Sequence, residues 1–140
     1  MYSAVELSKY IVTKCVKDRH PISNLQLQKI LYYIQKDFLQ HEELAFPDII
    51  EAWQFGPVVP NVYYFFSGFG AMPITGQYAH ARIDESDILR IDAIVKQKRD
   101  LDPWEMVRET HKNGGAWAQI WRNGAGNRSE IPVSLIKAVG

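Results

Sequence analysis

The sequence predicts a mainly α-helical fold, a compact bundle of five to seven helices with a small two- or three-stranded β element near Trp53 and Tyr78. Two observations carry this prediction. Apolar residues recur at helical spacing in several segments, and capping residues, prolines and glycines stand where those segments begin and end. The chain has 140 residues, which is the length of a single domain, and we predict one domain over residues 1–140.

The second helix has the clearest local signals. Ser23 and Gln26 form a capping box, and Ile22 can pack against Leu27 as a hydrophobic staple. Behind them an apolar stripe follows at helical spacing: Leu27, Ile30, Leu31, Ile34 and Phe38. Gln26, Gln28 and Lys29 are expected to form the solvated side of this helix.

The other helices are shorter, and they are predicted from their first residues. Serine or aspartate caps, prolines of the first turn and glycines that end the preceding segment mark these starts. The predicted starts are Ser3, Pro60, Asp84, Asp102, Ala116 and Pro132. Residues 68–76 are rich in glycine and proline and are predicted to be a loop.

Residues 52–81 contain no Asp, Glu, Lys or Arg, although 23% of the whole chain is charged. This window also holds 8 of the 17 aromatic residues. Aromatic residues without charges are typical of a core or of the centre of an interface. Trp53, Val58 and Val62 are predicted to be buried, and Trp104, Trp117 and Trp121 outside the window are also assigned to the core.

Composition argues against several classes of function. Basic and acidic residues both number 16, so the chain lacks the positive field that binds bulk nucleic acid or anionic membrane. The single cysteine, Cys15, is incompatible with an internal disulfide and fits a reducing compartment. Glu6 and Lys9 interrupt the pattern of a signal peptide. We expect a cytoplasmic protein that has no membrane segment.

No catalytic, cofactor or metal site is predicted. The possible metal ligands are scattered without the paired spacing of a zinc site: Cys15, His20, His41, His80 and His111. Cys15 lies on the apolar face of a helix, where a thiol is usually buried and inert. His111 is interpreted as a capping or core histidine at a helix C-terminus, where the helix dipole favours a positive charge. The chain is therefore not expected to be an enzyme.

Sequence-specific DNA binding stays open as an alternative at this point. Gln26, Gln28 and Lys29 lie near the start of the second helix, where recognition helices present side chains to base edges. Without an excess of basic residues, nucleic acid is the less favoured partner.

Three blocks of the chain together resemble the Panacea domain family, which includes SocA-like and GepA-like phage-associated proteins. The blocks are LQLQKILYY at residues 25–33, AWQFGPVVPNVY at residues 52–63, and Thr110-His111 followed by Gly115-Ala116-Trp117. The positions that carry the signature are Leu27, Lys29, Leu31, Trp53, Gly56, Pro57, Val58, Pro60, Thr110, His111, Gly115 and Trp117.

The resemblance implies a helical antitoxin that binds and neutralises the cognate toxin of a prophage or mobile-element toxin–antitoxin pair. Two alternatives accompany it: an adaptor that delivers the toxin to a cellular protease, and a DNA-binding regulator of its own operon. The resemblance supplies no catalytic residue.

Helix geometry adds a prediction about the contact surface. Four consecutive residues of one short helix sweep round its whole circumference, so the four aromatic residues 63–66 cannot all face inward. We therefore predict that the partner-binding residues lie in this group and in the loop that follows: Tyr63, Tyr64, Phe65, Phe66 and Phe69.

Overall fold

The computed structural model describes residues 1–140 and has seven α-helices and one β-hairpin, which confirms the mainly helical fold. Two 3-10 turns, Ser67–Phe69 and Arg122–Gly124, follow the third and sixth α-helices. The elements in chain order are α1 (Ala4–Lys17), α2 (Asn24–Gln40), β1 (Glu51–Trp53), β2 (Gly56–Val58), α3 (Pro60–Phe65), α4 (Glu85–Arg99), α5 (Pro103–Thr110), α6 (Ala116–Trp121) and α7 (Val133–Val139).

The predicted helix starts agree with the structure to within one residue. At α2 the Ser23 side chain accepts from the backbone of Gln26, and the Gln26 side chain accepts from the backbone N–H of Ser23, so the capping box is complete. At α1 only half of the box forms. Ser3 accepts from the Glu6 backbone, whereas the Glu6 carboxylate accepts from the backbone N–H of Ala81 at 2.7 Å.

Helix α2 is the central element, because α1, α3, α4, α5, α7 and β2 all pack against it. Its apolar stripe is buried as predicted, but the expectation of a solvated side is wrong for Gln28 and Lys29, and Gln35 is buried as well. All three are at most 1% exposed, because the hairpin, α3 and the loop before the hairpin cover the other sides of the helix. Their polar atoms bond to those neighbours. Gln28 accepts from the backbone N–H of Val59 at 2.8 Å, and Gln35 donates to the carbonyl of Phe46 at 2.8 Å.

The β element is an antiparallel hairpin in which Trp53 pairs with Gly56 across a turn formed by Gln54 and Phe55. The chain returns to its open edge at residues 128–131. There the carbonyl of Ala52 accepts from Arg128 at 2.7 Å, and the N–H of Ala52 donates to the carbonyl of Ser129 at 2.9 Å.

Tyr78, near which strand was also expected, lies in the segment 70–83, which contains neither helix nor strand. Its backbone N–H donates to the side chain of Thr13 at 2.9 Å instead of to a strand partner. The segment is therefore attached to α1 by a side-chain contact.

One continuous apolar core extends from Ala4 of α1 to Ile136 of α7 and includes Cys15. None of the helices combines the length and apolar character that crossing a lipid bilayer requires.

Candidate functional site: an aromatic groove above a buried junction

Residues from the three sequence blocks meet beneath the hairpin. The fully buried Lys29 donates from Nζ to the carbonyl of Pro57 at 3.2 Å. Gly56 lies directly over this lysine with φ +118°, and a Cβ atom there would stand 2.8 Å from Lys29 Cε and 2.9 Å from Thr110 Oγ1. Both the backbone conformation and the space therefore require glycine. We call the set Lys29, Gly56, Pro57, Thr110, His111 and Trp117 the buried junction.

Lys29 has no carboxylate partner among the ion pairs of the protein. Because burial penalises the charged ammonium, the pKa of Lys29 falls to about 7. A buried lysine held by a single carbonyl can therefore lose its proton near neutral pH.

His111 and Trp117 form the other half of the buried junction. Their rings stack at 3.6 Å with planes 6° apart, and Trp117 Nε1 donates to the carbonyl of Trp53 at 2.8 Å. This contact links α6 to the end of β1. Trp121 continues the stack, 5.3 Å from Trp117.

The surroundings of His111 do not favour the positive charge that the helix dipole led us to expect on its ring. His111 caps the C-terminus of α5 as predicted, but burial and the nearby Lys29 lower its pKa. Its Nε2 atom is buried without a hydrogen-bond partner, which suits an unprotonated nitrogen because a buried N–H would go unsatisfied. These local effects outweigh the favourable helix dipole on which the prediction relied.

The remaining signature positions are also structural. Leu27, Leu31 and Val58 are buried, Pro60 is the first residue of α3, and Gly115 caps the start of α6. Trp53 departs from the prediction of full burial, because it is only partly covered. Part of its surface is left open.

Trp53 lines a groove of about 790 Å³ on the surface of the molecule. We call it the aromatic groove, after the aromatic residues that line it: Trp53, Phe55, Tyr63, Trp104 and Trp121. Phe55 at the hairpin turn and Trp104 in the first turn of α5 are 47% and 52% exposed. Their rings meet edge to face at 5.5 Å. Two large exposed rings in contact are typical of an interface anchor.

The five predicted partner-binding residues do not form one surface. Tyr63 lines the groove, and Tyr64, 56% exposed, lies beside it with its ring centre 6.1 Å from that of Trp53. Phe65 is 49% exposed but faces Lys9 of α1, and Phe69 packs partly on the core. Phe66 is 1% exposed, which removes it from any contact surface. The inward-facing residues are Val62 of α3 and Phe66, which caps its C-terminus, and they lie four residues apart.

The sequence interpretation missed Phe55, Trp104 and Arg128. Trp104 was assigned to the core, which is wrong: Pro103 and Trp104 begin α5 at its exposed end. A signal for Phe55 was present, since an aromatic residue in the two-residue turn of a hairpin projects away from both strands. Arg128 carried no comparable signal.

The residues of the DNA hypothesis are not available to bases. Gln28 and Lys29 are buried, and the Gln26 side chain is used in the capping box of α2. No group of three or more His, Cys, Asp or Glu side chains is placed to hold a metal ion.

Comparison with known proteins agrees with these blocks. The family model described as "Antitoxin SocA-like, Panacea domain" matches residues 27–118. The chain is also similar to a curated protein named Antitoxin SocA from Caulobacter vibrioides, with 36% identity over an alignment that covers 85% of this chain and 70% of that protein. No solved structure gives a significant match. The chain therefore belongs to the Panacea domain family of SocA-like antitoxins.

Proposed function

We propose that this protein is the antitoxin of a toxin–antitoxin pair and that it neutralises its toxin by direct contact through the aromatic groove. The observation that carries the proposal is its similarity to Antitoxin SocA across 85% of the chain. In this proposal the protein acts in the cytoplasm, and the pair belongs to a prophage or mobile element.

The composition of the groove supports a role in binding. Tyrosine and tryptophan are the residues that most often dominate the energy of an interface, because their large rigid rings lose little entropy when they are covered. Phe55, Trp104 and Tyr64 each expose about half of their surface and are close to one another or to Trp53. A partner segment that covers these rings would remove a contiguous apolar surface from water.

We also infer that the protein acts by binding rather than by catalysis. The lysine and the threonine of the buried junction already have hydrogen-bond partners, and the histidine ring is held by stacking. Lys29 donates to Pro57, the Thr110 hydroxyl donates to the carbonyl of Val107 at 3.0 Å, and His111 is stacked face to face on Trp117. Through these contacts the signature residues support the hairpin that carries Phe55, and this structural role accounts for them.

Co-expression with the neighbouring gene tests the proposal. If that gene encodes the toxin, its expression alone should stop growth, and the wild-type antitoxin should restore it. The double variant Tyr64→Ala with Trp104→Ala should fail to restore growth, whereas Leu89→Ala should restore it. Leu89 is the matched control, because it is 76% exposed on α4 and does not line the groove.

A harmless neighbouring gene, or rescue by the double variant as complete as that by the wild type, would contradict the proposal. Soluble expression and circular dichroism of each variant separate loss of binding from loss of folding. Inhibition of the purified toxin by the purified antitoxin alone distinguishes direct neutralisation from delivery to a protease, which would require the protease.

A further inference from the structure

The exposed charge that lines the aromatic groove is positive. It is carried by Arg128 at the rim, because Lys29 is fully buried beneath the hairpin, and none of the lining residues is Asp or Glu. Basic and acidic residues are equal in number over the whole chain, so this is a local imbalance. An aromatic surface with only positive charge is complementary to a partner that carries negative charge.

Arg128 is held in place by both its backbone and its side chain. Its backbone N–H donates to the carbonyl of Ala52 at 2.7 Å, which fixes the residue at the edge of the hairpin. The guanidinium lies 4.2 Å from the ring centre of Trp53, and Nη1 donates to the hydroxyl of Tyr64 at 3.0 Å. The side chain is therefore oriented before any partner binds, which lowers the entropy lost on binding.

This positioned cation has no acidic partner within the protein. Arg90 and Arg99 are both paired with carboxylates, whereas Arg128 is not. The hydroxyl of Tyr64 takes one of the five guanidinium N–H donors. Glu51 lies near Trp53, and Glu130 pairs with Glu51 across a β-bridge. The Glu51 carboxylate accepts from the indole N–H of Trp53 at 2.9 Å, and neither glutamate lines the groove.

We propose that the aromatic groove binds a segment of the toxin in which an Asp or Glu stands next to an aromatic or large aliphatic residue. The carboxylate pairs with the guanidinium of Arg128, and the apolar side chain packs against Phe55 and Trp104. A carboxylate fits because it can accept two parallel N–H bonds from one guanidinium. This inference rests on the proposed antitoxin function and specifies the partner segment.

A peptide selection tests the chemistry without knowledge of the toxin. The probe is a library of random dodecapeptides displayed on phage and selected on the immobilised wild-type protein. Selected peptides should carry an acidic residue beside an aromatic or large aliphatic one. Their affinity should fall at least ~30-fold for Arg128→Glu, the loss expected when one partner of a desolvated charge pair is changed, and less for Arg128→Gln.

Arg82→Glu is the matched control, since Arg82 is exposed outside the groove and undergoes the same change of charge. Its affinity for the peptides should stay within about twofold of the wild type, the scatter expected of a distant surface change. Thermal unfolding of both variants checks that each is folded. Peptides without acidic residues, or peptides that bind Arg128→Glu as tightly as Arg82→Glu, would overturn the inference.

The same variants in the co-expression experiment separate this inference from the proposed function. If the wild type rescues growth and Arg128→Glu does not, while Arg82→Glu does, both stand. If Arg128→Glu rescues as fully as the wild type, the charge complementarity is wrong and the antitoxin function stands. If even the wild type fails to rescue, the antitoxin function is wrong, and the peptide selection alone decides the chemistry of the groove.

Discussion

Residues 53–60 and residues 63–69 are both aromatic and free of Asp, Glu, Lys and Arg, yet the fold uses them differently. The first segment places Trp53 and Phe55 in the lining of the groove, and its strand Gly56–Val58 (β2) is buried throughout. The second segment alternates, with Phe66 in the core and Tyr64 and Phe65 exposed. The hairpin lies between α2 and α5, whereas α3 is covered on one side. What separates core from contact surface is therefore how many sides of a segment its neighbouring elements cover, and not the amino-acid composition of the segment.

The largest effect that tests this comparison involves two adjacent phenylalanines. Phe66→Ala should lower the free energy of unfolding by about 3–5 kcal/mol, because it removes a buried ring and leaves a cavity. Phe65→Ala should lower it by less than about 1 kcal/mol, since half of that ring is already in water. Urea denaturation of both variants measures the difference. Equal losses would mean that α3 does not have one inward and one outward face.

A second test concerns the close packing of the buried junction. Gly56→Ala should lower the free energy of unfolding by about 1–3 kcal/mol, because alanine is strained at φ +118° and its Cβ would displace Lys29. Gly68→Ala is the matched control in the exposed segment. Nothing lies within 4 Å of a Cβ there, so its effect should stay within about 1 kcal/mol. Thermal denaturation compares them, and two similar melting temperatures would argue against a tightly packed junction.

A third test uses the buried lysine. The folded-state pKa of Lys29 is about 7, whereas an unfolded lysine has a pKa near ~10.4. Between these values the unfolded chain binds more protons, so the free energy of unfolding should increase with pH by up to ~1.4 kcal/mol per unit. Lys29→Met should remove this slope between about pH 7.5 and 9.

Urea titrations at three pH values give the slope for each protein. Burial raises the pKa of the Cys15 thiol, which acts in the opposite direction at the upper end of this range. Because both proteins contain that thiol, the difference between their slopes isolates Lys29. Parallel slopes for the two proteins would show that Lys29 keeps its proton in the fold.

Local sequence signals predicted the structural features that depend on residues close to one another along the chain. The capping box of Ser23 and Gln26 and the cap at Asp102 each depend on contacts within a few residues. For the same reason, the start of each helix could be predicted to within one residue. The inward and outward positions of α3 follow from helical periodicity once one face is known to be covered.

The aromatic groove could not be predicted in this way, because it depends on distant segments. By sequence, Lys29 belongs to the polar side of an amphipathic helix. It is buried because the hairpin covers it, and its Nζ atom lies 3.2 Å from the carbonyl oxygen of Pro57, which is 28 residues away along the chain. Arg128 meets Trp53 through the return of the chain along the hairpin, and Trp104 meets Phe55 because α5 packs against β2. No spacing in the sequence encodes these contacts.

The central claim is that the aromatic groove is the surface that contacts the toxin. Isothermal titration of the purified product of the neighbouring gene into Trp104→Ala and into Leu89→Ala tests it most directly. We predict that Trp104→Ala weakens binding by about 2 kcal/mol or more, at least ~30-fold in Kd, and that Leu89→Ala binds as the wild type does. Equal affinities for the two folded variants would contradict the claim.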